Sequence, residues 1–305
     1  MVIGFISCCS TVKKSSDQAE NSPILKDLRY LSSEELAGRA SGTPGAEKAR
    51  NFIVERFKKL GIQSFSSNPD YLQSFSFSDQ KDSSRQGVNV IGYIPGKIQE
   101  AIVISAHYDH LGVRNGNIYY GADDNASGAA ALLYFAEKLS ESKPNFTIIL
   151  AAFDAEELGL RGAKAFVQTP PISLDKIKLN VNMDMIAHND KGELYVCGTY
   201  LYPNLKKYIV SRNPQIQFKL GHDLPDSGQD DWTNQSDQGA FHGKGIPFLY
   251  FGVEDHADYH QPTDTYEHIN PEFYLNATEG ILEIIKNIDE QYSSAVQFDK
   301  NKMMK

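Results

Sequence analysis

The chain has 305 residues, 41% of them hydrophobic and 23% charged, with 16 Tyr and 16 Phe available to build a core. This is a globular make-up, long enough for one large α/β domain, and no internal repeat or composition shift divides it. A formal net charge of −9 sets the overall field against phosphates and anionic lipid surfaces, so no nucleic-acid partner is expected. The sequence holds no run of 18 or more apolar residues, so no transmembrane segment is expected either.

The N-terminus, MVIGFISCCS, sets a short apolar stretch before cysteine, and a Ser-, Lys- and Gln-rich stretch follows to about Ser22. FISC resembles a bacterial lipobox with Cys8 as the residue for a lipid anchor, although no basic residue precedes it and the apolar stretch is short. An ordinary terminal extension is the alternative. With a signal, the chain belongs to the cell envelope, periplasmic or lipid-anchored, or is secreted; without one, it belongs to the cytoplasm. Residues 1–22 are thus expected to be a leader and linker, 23–292 the folded domain, and 293–305 a C-terminal tail. The cysteines, Cys8, Cys9 and Cys197, show neither CxxC nor CxxH spacing, which excludes a zinc ribbon and gives no disulfide framework.

In chain order, Pro23 to Glu35 reads as a helix. The turn GRASGTPG (38–45) then leads into a second helix, with Thr43 as N-cap, Pro44 at the first helical position and Gly61 as stop. From Val88 onward, strand-like apolar runs alternate with helical ones. The strands are Val88–Ile94, Ala101–Ala106, Phe146–Phe153, Leu179–Met185, Glu193–Cys197 and Ile246–Phe251. The helices are Ser127–Leu139, Leu160–Val167, Pro203–Ser211, Ser236–Gly243 and a long last one from Pro271 to about Gln291, with Phe273, Ala277, Ile281, Ile284 and Ile288 as its core stripe. This alternation predicts a single α/β domain with a mixed, largely parallel central sheet flanked by helices.

Ligands in such sheets gather at the C-terminal strand ends. Three of these ends are acidic: HYDH after Ala106, DAEE after Phe153, and NMDM in the run ending near Ile186. Taken singly, each reads as a helix cap or a solvated loop. Together they suggest a metal site. His107 and Asp109 lie two apart on an extended chain, so one can bind an ion while the other orients it. In GADDNASG (121–128), a helix cap accounts for one aspartate but hardly for two. Glu156 and Glu157 are adjacent like charges, which repel unless a cation lies between them or one holds a proton. Oxygen and nitrogen donors without thiolate suit a catalytic zinc or a related divalent ion.

SAHYDH (105–110), GADDNASG (121–128), FDAEELGLRGA (153–163), NMDMIAH (182–188) and DYHQPTDT (258–265) resemble, in order and spacing, the co-catalytic double-zinc aminopeptidases of the secreted bacterial and yeast type. That superfamily also contains glutamate carboxypeptidases, glutaminyl cyclases and the transferrin receptor. The resemblance runs from about Leu31 to Asp289 and includes LAGRASGTPG (36–45). It implies a zinc-exopeptidase fold and two zinc ions bridged by Asp124 and a water. His107 and Asp184 would complete one ion's ligands, and Glu157 and His260 the other's. Glu156 would be the general base, Asp109 the partner of His107, and Tyr259 an aid in polarising the substrate carbonyl. It also implies a cis Asp124–Asn125 peptide bond. The implied activity is removal of N-terminal residues from a peptide substrate with a free amine, by a monomer. The alternatives are glutaminyl cyclisation and carboxypeptidase action on the same scaffold.

Of the other histidines, His110 and His188 stand near enough to motifs to line the cleft, although a lone histidine beside a site more often only hydrogen-bonds. His268 reads as surface, and Cys197 as a small buried hydrophobe. Asn213 to Gln235 is polar and carries Trp232. Its length and lack of periodicity suggest a lid beside the cleft, where Asp230 and Asp231 either attract a substrate amine or are simply solvated.

Overall fold

The computed structural model describes residues 22–78 and 84–303, with 293–303 as backbone only. Cys8 and the leader up to residue 21 lie outside the described residues. The strands are β1 (Leu72–Phe77), β2 (Arg85–Ile94), β3 (Ala101–His107), β4 (Gly112–Arg114), β5 (Asn117–Tyr119), β6 (Thr147–Phe153), β7 (Ile177–Met183), β8 (Glu193–Cys197), β9 (Gln217–Leu220) and β10 (Phe248–Gly252). Eight of them form one sheet in the order β1–β2–β6–β3–β7–β10–β8–β9, and β4 pairs with β5 as a separate hairpin. The central β6, β3, β7 and β10 run parallel, whereas β1, β2 and β8 introduce antiparallel pairings.

All seven residues of β3, AIVISAH, are buried, as expected for a strand covered on both faces. The pleat divides them. Ile102, Ile104 and Ala106 join a core with helices α1 (Pro23–Leu31), α2 (Pro44–Lys59), α3 (Gly128–Ser140) and the last helix, α6 (Pro271–Met303). On the opposite face, Ala101 and Val103 pack with α4 (Arg161–Gln168) and α5 (Gln238–His242) through Ala163, Phe166 and Phe241. The sheet is therefore a middle layer between helices, and the stripe from Phe273 to Ile288 on α6 is buried as expected.

Several elements differ from the sequence reading, for local reasons. The first helix ends at Leu31, and a 3-10 turn, Glu34–Arg39, follows; Ala37 (φ 45°) and Gly38 (φ 70°) break its regular winding. A side chain on Gly38 would meet the Tyr119 carbonyl at 2.2 Å. Pro203–Tyr208 forms only a 3-10 turn where a longer helix is expected. The segment read as a lid contains β9, an edge strand that among the described residues pairs only with β8; a strand with one neighbour can stay polar, which hides it from an apolar-run search. The last helix runs to Met303, into the stretch expected to be a tail.

Register positions the site. His107 pairs with Phe153 across β3 and β6, and Ser105 with Asn182 across β3 and β7. These strands therefore end nearly level, so HYDH, DAEE and Asp184 emerge along the same edge.

Candidate metal centre

Between β5 and α3 the chain makes a π turn, Ala122–Ser127, with a cis Asp124–Asn125 bond. Gly121 enters it at φ 59°, and a Cβ there would lie 2.1 Å from the Asp124 carbonyl. Asp264 accepts hydrogen bonds from the Asp123 and Asp124 backbone N–H groups at 2.9 and 3.1 Å. Asn125 Nδ2 donates to the Met183 carbonyl at 2.9 Å, tying the turn to the end of β7. Asp124 is thus a buried carboxylate held from two sides.

His107 Nε2 lies 3.3 Å from Asp124 Oδ1 and 3.2 Å from Asp184 Oδ1. On the other side of Asp124, Oδ2 lies 3.0 Å from His260 Nε2 and 3.6 Å from His110 Nδ1. Glu157 reaches both imidazoles, with Oε1 2.8 Å from His110 Nδ1 and Oε2 3.4 Å from His260 Nε2. The structure therefore brings together all five side chains named from the motifs as metal-binding, in two groups sharing Asp124. It also adds His110, a buried residue that sequence reasoning left among lone histidines; no spacing rule marks it.

Asp109 links His107 to Glu156. His107 Nδ1 faces the Asp109 carbonyl at 3.1 Å and its carboxylate at 3.6 Å. The same carboxylate accepts the Glu156 backbone N–H at 3.0 Å. Tyr259 stacks on His260 with ring centroids 4.0 Å apart. Asp124, Glu156, Glu157, Asp184, Met185, Trp232, Tyr250, Val253, Tyr259 and His260 all face one cleft. Left-handed backbone occurs at Ala155 (φ 57°), Met185 (φ 59°) and His260 (φ 54°), beside or at the converging side chains. Such conformations cost non-glycine residues roughly 1–2 kcal/mol each and persist where surrounding contacts over-determine them.

Arg39, from the LAGR segment, is buried behind the acidic side chains. Its guanidinium donates to the backbone carbonyls of Tyr108 (2.8 Å), Tyr120 (2.7 Å), Gly121 (2.9 Å) and Leu31. Burial lowers its pKa to about 10, with Asp124, Asp264, Asp109 and Glu157 opposing that fall.

The electrostatics separate the carboxylates. Burial works against the charge on Asp124, but His110, His107 and His260 outweigh it and hold its pKa well below the usual range. Burial raises Glu156 well above that range, with Asp184, Asp237 and Glu157 adding to the rise against His107. Asp264 is pushed up to about 7 and Asp237 to about 8, each by burial first.

The donor set fits divalent metal. Although 2.8 Å apart, His110 Nδ1 and Glu157 Oε1 are buried atoms without hydrogen-bond partners among the described residues. Two lone-pair donors brought this close, without hydrogen-bond geometry, suit a shared cation. The Cys197 thiol, by contrast, lies in a separate core cluster with its pKa raised by burial, so it remains a buried hydrophobe.

The model for peptidase family M28 matches residues 89–285. The chain belongs to peptidase family M28. Aminopeptidase YwaD of Bacillus subtilis is 29% identical over 203 residues, which cover 62% of this M28 chain and 42% of that relative. The match thus spans less than half the relative's length. Among solved structures, the zinc aminopeptidase BSAP from Bacillus subtilis superposes with a TM-score of 0.68 at 17% identity, covering 86% of this chain and 94% of that one. The glutaminyl cyclase of Porphyromonas gingivalis gives 0.71 at 16% identity, covering 86% and 96%. At these identities the two structures establish the shared single-domain fold, as the sequence reading expects.

Proposed function

We propose that this M28 chain is a zinc-dependent aminopeptidase that removes N-terminal residues from peptides bearing a free amine. The observation that carries the reading is the meeting of two donor groups at Asp124, with Glu156 beside them in the same cleft. His107 and Asp184 would hold one zinc ion, Glu157 and His260 a second, and Asp124 both. His260, with a side chain 38% exposed, approaches from the open side, while buried His110 brings Nδ1 to 2.8 Å from Glu157 Oε1 on the inner side. When bound, the ions supply Lewis acidity to the peptide carbonyl and lower the pKa of water.

The chain's own residues do the rest. Glu156 takes a proton from the attacking water and passes it to the leaving amine, a task suited to a carboxyl whose pKa burial has raised. Asp109 positions both His107 and the Glu156 backbone. Tyr259 polarises the carbonyl. Met185, Trp232, Tyr250 and Val253 form the apolar part of the wall, which suits a side chain rather than an extended peptide.

Glutaminyl cyclisation is the second reading, favoured by the backbone likeness to the Porphyromonas gingivalis cyclase. The presence of both His107 and Asp184 beside Asp124 argues for hydrolysis with two ions instead. Aminoacyl anilides with a free amine are expected to turn over at least about 10²-fold faster than their N-acetylated forms. A chelator should abolish this activity and added zinc restore it. Equal cleavage of the blocked substrates would overturn the aminopeptidase reading, as would ammonia release from glutaminyl peptides without hydrolysis.

A further inference from the structure

Trp232 is the chain's only tryptophan, and it lines the cleft from within the polar segment 213–235. What holds its indole there includes a residue outside the cleft lining. His222 lays its imidazole flat on the indole, with ring centroids 3.6 Å apart and an interplanar angle of 3°. Two parallel rings at that separation are in van der Waals contact across the imidazole face. Tyr250, which also lines the cleft, meets the indole edge-on, with centroids 6.0 Å apart at 81°.

His222 is itself fixed in place. Its Nδ1–H donates to Asp230 Oδ1 at 2.7 Å, and its Nε2 comes within 4.0 Å of Glu254 Oε1. The Tyr195 ring, on β8, stands edge-on to the imidazole with centroids 4.4 Å apart at 74°. The backbone repeats the tie, because the Trp232 N–H donates to the His222 carbonyl at 2.7 Å. The Trp232 carbonyl in turn accepts Gln238 Nε2 at 2.7 Å, and Gln238 Oε1 accepts Asn182 Nδ2 at 3.0 Å. Asn182 lies on β7, the strand that leads to Asp184. A segment whose pattern suggests a lid is thus anchored, at its one indole, to the sheet that carries the centre.

We propose that His222 is a positioning residue that sets selectivity for the substrate's first side chain, by holding Trp232 as a fixed apolar wall that favours leucine and other large apolar residues over alanine. The inference rests on the aminopeptidase reading above. Together with Met185, Tyr250 and Val253, Trp232 offers apolar surface in the cleft. A leucine side chain buries more of that surface than an alanine methyl does, and one methylene in such a pocket is worth roughly 10–200-fold in selectivity. That gain requires a wall that stays in place. Without the imidazole against it, the indole can turn about its side-chain torsions, and the larger residue loses its grip. Because His222 stands outside the cleft, its loss should act on binding rather than on the chemical step.

The test compares wild type, His222→Asn and His222→Phe as zinc-loaded full chains, with circular dichroism to verify folding. Asparagine suits the left-handed backbone at this position (φ 56°) but presents no ring, whereas phenylalanine keeps a flat face for the indole. Leucyl and alanyl anilides supply kcat and KM, and acrylamide quenching of the sole tryptophan reports how firmly the indole is covered. Wild type is expected to favour the leucyl substrate by at least about tenfold in kcat/KM. His222→Asn should cut that preference at least about fivefold, through a raised KM with kcat within about twofold, and should make Trp232 more readily quenched. His222→Phe should restore both the preference and the protection. If His222→Asn fails to fold, His222→Gln takes its place. Wild type that cleaves neither anilide would sink the aminopeptidase reading and this inference with it. Wild type that cleaves them, with the same leucine preference in every folded protein, unchanged quenching in His222→Asn, or no recovery in His222→Phe, would overturn the inference alone.

Discussion

Replacing Glu156 with glutamine should lower hydrolysis by on the order of 10²–10⁴-fold, the range contributed by a positioned general base, with bound metal unchanged. The substitution keeps the side chain's shape and removes its ability to take a proton. It also leaves the local scaffold intact, because Asp109 contacts this residue through the backbone N–H. Burial, reinforced by Asp184, Asp237 and Glu157, biases Glu156 toward accepting a proton. Neighbouring Glu157 is instead lowered: burial opposes its charge, but His110 and His260 outweigh burial. The two adjacent glutamates thus have opposite protonation preferences, as a base and a ligand require. Single-turnover rates on an aminoacyl anilide, paired with metal analysis, would check the assignment. Activity within twofold of wild type would move the base elsewhere.

Asp124→Ala should be comparably damaging to the rate and should also cost metal, because one carboxylate serves both donor groups. Its Oδ1 faces His107 at 3.3 Å, and its Oδ2 faces His260 at 3.0 Å and His110 at 3.6 Å. Without it, three imidazoles lose their common acidic neighbour, and neither of the two proposed ions would keep its full ligand set. A bound divalent ion contributes several kcal/mol to transition-state stabilisation. At about 1.4 kcal/mol per tenfold, its loss lowers the rate by on the order of 10³-fold. Metal content should fall with the rate. A variant that retained full metal and more than a tenth of the activity would show that Asp124 is not shared.

The legible parts of the chain are those whose physics is local. AIVISA and the run ending in Phe153 read as strands buried on both faces because apolar, often β-branched residues dominate them, with Ser105 and Thr147 as the small polar exceptions, and acidic residues just past such strands point to the ligand edge of an α/β sheet. The resemblance carried by the ordered motifs then implies that His107, Asp124, Glu157, Asp184 and His260 share one site. What stays hidden depends on distant partners. His110 meets Glu157 only because β3 and β6 end in register, with His107 opposite Phe153. Arg39 finds its acceptors at Leu31, Tyr108, Tyr120 and Gly121, across 8 to 82 residues of sequence. Asp264 lies within a motif that resemblance singled out, yet its grip on the Asp123 and Asp124 amides is a tertiary fact. The edge strands β1 and β9 escape because a strand bordered on one side can alternate or stay polar.

Anomalous diffraction at the zinc edge, from crystals of the zinc-loaded chain, tests the shared carboxylate most directly. Two peaks about 3.5–4 Å apart are expected astride Asp124, one next to His107 and Asp184 and the other next to Glu157 and His260. A single peak, or density away from Asp124, would contradict the account.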